Sequence, residues 1–311
     1  MIGTVAVTDY GWYDFLARRS LAEVNFWTPS DRRPFSAPQF SPFFFKLKAP
    51  HRAIGGFGFF AKWSSLPHWL AWECFGQGNG CESLALLDAK ISAIRDRIGY
   101  VATDLVANIG SILIVQPTFF PKDAWVRQPA DWHDRTVTAK GYDLKAGEGR
   151  RMWEECLERA GIGYAANAAL PQVAGPARPR YGEPVLVTPR IGQGTFRVSV
   201  TDAYGRACAA TNEHSLPALE AAHIRKYSDD GPHEIRNGVL LRADLHRLFD
   251  KGYLTVTSNH HLEVSPRLRR DYSNGKSYYP LHGALLRLPS DPNDCPAEEF
   301  LTWHNEHIYL G

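Results

Sequence analysis

The chain lacks the marks of several protein classes. It carries 5 cysteines in 311 residues, at positions 74, 81, 156, 208 and 295, and no two of them stand in CxxC spacing. An odd, scattered set argues against a disulfide framework and against a zinc ribbon, and leaves reduced, mostly buried thiols as the expectation. No apolar run reaches transmembrane length, and no basic-then-apolar leader opens the chain, so the sequence reads as soluble and cytoplasmic. Bulk charge of one sign is missing too: the formal net charge is +2. A nucleic-acid partner would therefore be met by local basic patches rather than by a polycationic surface. No internal repeat is present.

What remains is ample material for cores. Hydrophobic residues make up 44% of the chain, which excludes wholesale disorder, and the length suits two domains. Residues 1–165 hold most of the 9 tryptophans. Val5-Ala-Val7 predicts a first strand and Trp12 to Leu21 a short helix. Pro42 to Lys48 and Ala53 to Ala61 predict paired strands. Pro67 to Phe75, Ser83 to Arg97 and Glu148 to Ala160 have the apolar rhythm of helices, and Ile112 to Val115 predicts a buried strand ending at Pro117. Residues 166–190 are rich in Ala, Pro, Gly and Arg without periodicity, the composition of a linker. Periodicity returns with a helix over Thr195 to Tyr204.

The most informative stretch is Glu220-Ala-Ala-His223-Ile, followed by Asn237 and then Asp244-Leu-His246-Arg-Leu-Phe-Asp250. Leu219 to Ile224 predicts a strand ending near His223. Asp230-Gly-Pro is a loop signal, and Asn237-Gly238 can make a tight turn. Val239 to Leu241 predicts a second strand, and Arg242 to Lys251 a helix that Gly252 can stop. On that helix His246 and Asp250 stand four apart, on one face, where an imidazole and a carboxylate can share a divalent ion. His223 opposite them could take a proton from a water aimed at phosphorus, and Asn237 could brace the loop between. Arg225 and Lys226 directly after His223, with Arg242, are the basic residues best placed to meet a phosphate.

Residues 193–256 resemble an HNH endonuclease domain of the His-Me finger, ββα-metal type, on Glu220-Ala-Ala-His-Ile224 and Asn237-Gly-Val-Leu-Leu-Arg-Ala-Asp-Leu-His-Arg-Leu-Phe-Asp250. The resemblance implies His223 as general base, Asn237 as structural asparagine, His246 as metal ligand and Asp250 as a further ligand, with Mg²⁺ or Mn²⁺ as the ion. Many such enzymes carry Asp or His immediately before the base, where this chain has Ala222. Either Glu220 contributes a ligand, or fewer protein groups and more waters hold the metal.

Val7-Thr-Asp-Tyr-Gly-Trp-Tyr-Asp-Phe-Leu16, Gly55 to Phe60 and Gly110 to Pro121 resemble the N-terminal halves of HNH proteins in which a PUA-superfamily or SRA-like β-barrel precedes the nuclease, as in modification-dependent (type IV) restriction endonucleases. The expected architecture is α+β: a PUA/SRA-like domain with helices over 1–165, a linker over 166–190 and an HNH nuclease over 191–311. The implied partner is double-stranded DNA carrying a modified base such as 5-methylcytosine, flipped into a pocket drawn from Asp9, Tyr10, Trp12, Trp27 and Phe45. Cutting two strands with one site would be easiest in a homodimer. A DNA reader with a catalytically weak HNH unit, or an unspecific nuclease toxin, are the alternatives.

Overall fold

The computed structural model describes residues 1–101, 107–133, 135–136, 138–161 and 191–311, in two compact units, Met1–Gly192 and Gln193–Gly311. The expected linker, 166–190, lies outside the described residues. All five cysteines are free, three of them buried. Among the described residues no helix is long and apolar enough to cross a membrane.

The first unit follows from runs of aromatic residues that can be buried on both sides of a sheet. Its elements are β1 (Ile2–Thr8), α1 (Tyr10–Ala17), β2 (Glu23–Thr28), β3 (Pro42–Leu47), β4 (Ala53–Leu66), α2 (His68–Phe75), α3 (Leu84–Arg97), β5 (Ile109–Phe119), β6 (Val126–Arg127), β7 (Ala139–Asp143) and α4 (Gly147–Arg159). The strands form one sheet in the order β2-β5-β4-β3-β1-β7, with β6 paired to β4. β1 and β3 run parallel, and the other pairs run antiparallel. Among the described residues β2 and β7 stand at the two ends of this order, and no pairing joins them into a closed barrel.

Side chains alternate faces along a strand, and β3 uses both. Phe43 and Phe45 pack with Trp12, Tyr13 and Leu16 of α1. Phe44, between them, meets Trp153 of α4 edge-on with centroids 5.6 Å apart. α1 begins where Asp9 accepts hydrogen bonds from the backbone N–H groups of Gly11 and Trp12, an N-cap that starts the helix two residues before the predicted Trp12.

One boundary differs from the sequence reading. β5 does not stop at Pro117 but runs on to Phe119. The ladder pairs Phe57 with Thr118 and Phe59 with Val115, so Gln116 and Pro117 bulge out of it, and Gln116 takes a positive φ of 49°. A proline is tolerated there because no ladder amide is required of it.

The second unit contains α5 (Gln193–Ala203), β8 (Leu219–His223), β9 (Gly238–Arg242), α6 (Ala243–Asp250), β10 (Leu254–Val256), β11 (Leu262–Val264), α7 (Arg267–Tyr272) and α8 (Glu298–His307). β8 and β9 are antiparallel, with His223 opposite Gly238, and α6 follows β9 directly. This is the expected ββα unit. α6 buries Leu245 and Phe249 and presents His246 and Asp250 away from that core, as its four-residue spacing requires. Gly252, at φ 76°, ends it.

Asn237-Gly238 is not the tight turn its sequence suggests. Asn237 closes a short 3-10 turn, and Gly238 is extended at φ −131° as the first residue of β9. The glycine answers a close approach instead: a Cβ there would lie 2.4 Å from Val200 Cγ2 and 3.0 Å from Phe196 Cζ of α5.

Candidate active site

The ββα unit gathers three side chains that the sequence spreads from 223 to 246. His223 stands at the end of β8 with its ring stacked on Phe196 of α5, centroids 3.8 Å apart and planes 13° from parallel. Its Nε2 lies 3.0 Å from Nδ1 of His233. Burial pushes the His223 imidazole down to about 4, with the neighbouring rings of His233 and then His246 adding to the effect. The ring is therefore neutral at neutral pH, the state a general base requires.

Asn237 is fully buried and every part of its amide is used. Its Oδ1 accepts from the Arg225 backbone N–H at 2.8 Å, while Nδ2 donates to the carbonyls of Arg225 (2.8 Å) and Pro232 (2.9 Å). One side chain thus ties the backbone just after His223 to the backbone just before His233.

His246, on α6, is held from its Nδ1 side by Glu220 Oε2 at 2.7 Å, and its Nε2 faces Asp250 Oδ2 at 3.7 Å. The two carboxylates therefore address opposite nitrogens of one ring. Ala222 is buried in β8 opposite Val239. Glu220 contacts the imidazole of His246 through its Nδ1. Among the described residues no group of three or more His, Cys, Asp or Glu is arranged to hold a metal ion.

These positions coincide with a family match. Residues 208–257 match the family described as HNH endonuclease. This segment is an HNH endonuclease domain. No curated protein matches the chain. Among solved structures, the ASCH protein from Zymomonas mobilis is 9% identical with a TM-score of 0.35, covering 49% of this chain and 93% of its own. A structure titled modification dependent TagI restriction endonuclease is 12% identical with a TM-score of 0.29, covering 98% of this chain and 81% of its own. At those scores neither likeness carries an argument about this chain.

Of the basic residues expected to meet phosphate around the HNH domain, each already has an internal partner. Arg225 donates from Nε to the Asp229 carbonyl at 2.7 Å, and its guanidinium lies 5.4 Å from the Trp303 ring. Lys226 Nζ is 3.7 Å from Asp250 Oδ1. Arg242 holds Asp244 through two nitrogens at 3.0 and 2.7 Å.

Of the five residues expected to form a base pocket, Asp9, Tyr10 and Trp12 stand at the start of α1, and Trp12 meets Phe45. Trp12 and Phe45 are core, 7% and 0% exposed, with ring centroids 5.5 Å apart, and as placed Phe45 has no face to offer a base. Trp27 donates its Nε1–H to the Asn79 carbonyl at 2.9 Å, and Asp9 caps α1 through Oδ1 with Oδ2 3.8 Å from Lys48 Nζ. Asp9 and Tyr10 are exposed, and the Tyr10 ring meets that of His51 at 4.4 Å, with Trp125 5.2 Å from His51. Nothing local in the sequence marks His51 and Trp125, which converge from a β3-β4 connection and a segment after β5. His233 is unmarked in the sequence for the same reason. Its loop carries no periodic pattern, and only the tertiary contact with His223 distinguishes it.

The low value for His223 fixes the pH behaviour of any reaction it serves. The base works unprotonated, so, with the divalent ion saturating, its own protonation removes activity as pH falls through the folded-state value. kcat/KM for DNA cleavage is expected to stay level from pH 7 to 5 and to fall near pH 4, rather than around the ordinary 6.5. The same shift lowers stability as pH drops below 6.5, because the unfolded chain binds a proton there that the folded one does not. Rates measured on folded protein across that range check the first expectation, and an acid midpoint near 6.5 would contradict it.

Proposed function

We propose that this chain is a metal-dependent DNA endonuclease whose N-terminal region, residues 1–165, reads a modified base and whose HNH region, residues 191–311, hydrolyses the phosphodiester. The observation that carries the nuclease reading is His223: a ring clamped on Phe196, kept neutral, in one ββα unit with His246 and Asp250.

The donor set fits a hard divalent cation. His246 Nε2 and a carboxylate of Asp250 lie on one side of α6, and Mg²⁺ or Mn²⁺ is commonly held by one or two protein groups, with water and substrate phosphate completing the shell. His246 and Asp250 would hold it, while Glu220 on Nδ1 would fix the ring's tautomer and direction as carboxylates behind metal-bound histidines do. A divalent ion there supplies Lewis-acid stabilisation of the charge that builds on the phosphate. The chain's own residues do the rest. His223 accepts the proton of the attacking water, Asn237 keeps the base and its loop in register, and Lys226 and Arg225 stand beside the site for the phosphates on either side.

Reading of a modified base rests on the first unit's aromatic richness and on the sequence resemblance to PUA/SRA-like domains. Exposed Tyr10, with half-buried His51 and Trp125 beside it, forms the aromatic group best suited to stack a flipped base. Stacking contributes about 1–3 kcal/mol per base, enough to offset much of the few kcal/mol that extrusion costs. Two copies of the chain would serve to cut both strands.

The test is cleavage of matched duplexes, one carrying 5-methylcytosine and one unmodified, by the full chain with Mn²⁺. Preferential cutting of the modified duplex is the expected result. Equal cutting of both would sink modification dependence and leave the nuclease. Tight DNA binding with no cleavage and no Mn²⁺ binding by calorimetry would replace the nuclease by a reader.

A further inference from the structure

We propose that His233 is a positioning residue for the general base: its Nδ1 accepts the N–H of His223 Nε2 and so keeps Nδ1 of His223 as the bare, proton-accepting nitrogen. This inference rests on the nuclease reading and adds a residue that neither the HNH order nor the sequence spacing marks.

The two nitrogens are 3.0 Å apart, a distance at which they share one proton. A neutral imidazole carries a single N–H, so two arrangements exist. If His233 donates from Nδ1, His223 must hold its own proton on Nδ1 and has no lone pair left for water. If His223 donates from Nε2, its Nδ1 is bare, and among the described residues that nitrogen has no hydrogen-bond partner. Only the second arrangement is a base. In it the attacking water gives its proton to His223 Nδ1 and its oxygen to phosphorus, and the leaving oxygen departs with the electron pair of the broken P–O bond. The imidazolium then keeps the same Nε2–H bond to a neutral acceptor, now assisted by charge.

The surroundings hold this pair in one geometry. His223 lies flat on Phe196 and His233 lies flat on Tyr227, with centroids 4.6 Å apart and planes 4° from parallel. The two imidazoles meet at 58° with centroids 5.1 Å apart. The backbone on which His233 hangs is fixed by Asn237, whose Nδ2 donates to the Pro232 carbonyl, and the Asn237 carbonyl accepts from the Ile224 N–H next to His223 at 2.9 Å. The buried asparagine therefore sets both members of the pair.

His233→Phe keeps a ring on Tyr227 and removes the acceptor, whereas His233→Asn places an amide oxygen near the position of Nδ1. In the full chain, H233F is expected to lower kcat for DNA cleavage on the order of 10- to 100-fold with KM unchanged, as loss of a ligand-orienting partner does. H233N is expected to restore most of the rate. Histidine-selective ¹⁵N NMR, with the His223 signals assigned from His223→Gln, should show a protonated Nε2 and a bare Nδ1 in wild type and a tautomer mixture in H233F. Wild-type cleavage by H233F, equal loss in H233F and H233N, or a wild-type His223 protonated on Nδ1 would each overturn the proposal. The tautomer readout needs no turnover, so failure of the nuclease reading, seen as no cleavage by wild type, is distinguishable from failure of this one.

Discussion

His223→Gln is expected to lower single-turnover DNA cleavage by roughly 10²- to 10⁴-fold, the range that a positioned general base contributes. The substitution is chosen to spare the fold. His223 stacks on Phe196 and bonds to His233, so an alanine would also open space between β8 and α5 and lose that bond. A glutamine amide can still reach His233 and cover part of Phe196, but it cannot accept a proton near neutral pH. Circular dichroism and DNA binding should match wild type while the cleavage rate collapses. Retention of the wild-type rate by a folded H223Q chain would show that another group activates the water.

The largest effect on stability is expected at Asn237. Asn237→Ala removes the partners of one half-buried backbone N–H and two carbonyls at once. Each orphaned group costs about 1–3 kcal/mol, so the second unit should lose about 3 kcal/mol or more. For a domain near 100 residues that corresponds to a fall in Tm of roughly 10–20 °C. Asn237→Asp is expected to be no rescue. Its carboxylate can accept from the Arg225 N–H, but the other oxygen would face the Arg225 and Pro232 carbonyls with no proton to donate. Thermal unfolding of both variants checks this, and a shift of only a degree or two in N237A would mean the amide is not the brace the geometry makes it.

Much of this architecture can be read from local pattern. β3 and β4 announce themselves by consecutive aromatics, α3 and α4 by apolar periodicity, and the ββα unit by short apolar strands around a loop rich in Gly and Asp. The HNH order could be read because its members lie on neighbouring elements of one small motif. What could not be read depends on partners distant in sequence. β2 contains Asn25, fully buried and bonded to Asn79 and Ser111, which spoils the simple alternation of a strand. Glu220 is a ligand candidate by residue type, and only the pairing of β8 with β9 and the placement of α6 reveal its carboxylate 2.7 Å from His246 Nδ1. Trp12 and Phe45 resemble pocket aromatics by residue type, and burial makes them core. The ring group of Tyr10, His51 and Trp125 and the imidazole of His233 become visible only once the chain has folded.

The central claim, that the ββα unit cuts DNA with a divalent ion held by His246 and Asp250, is tested most directly by incubating the purified full chain with a DNA duplex after chelation and after adding back Mg²⁺ or Mn²⁺. Cleavage is expected only with the metal restored, and is expected to vanish again in His246→Ala. Undiminished cleavage in the presence of chelator, or by the H246A chain, would contradict it.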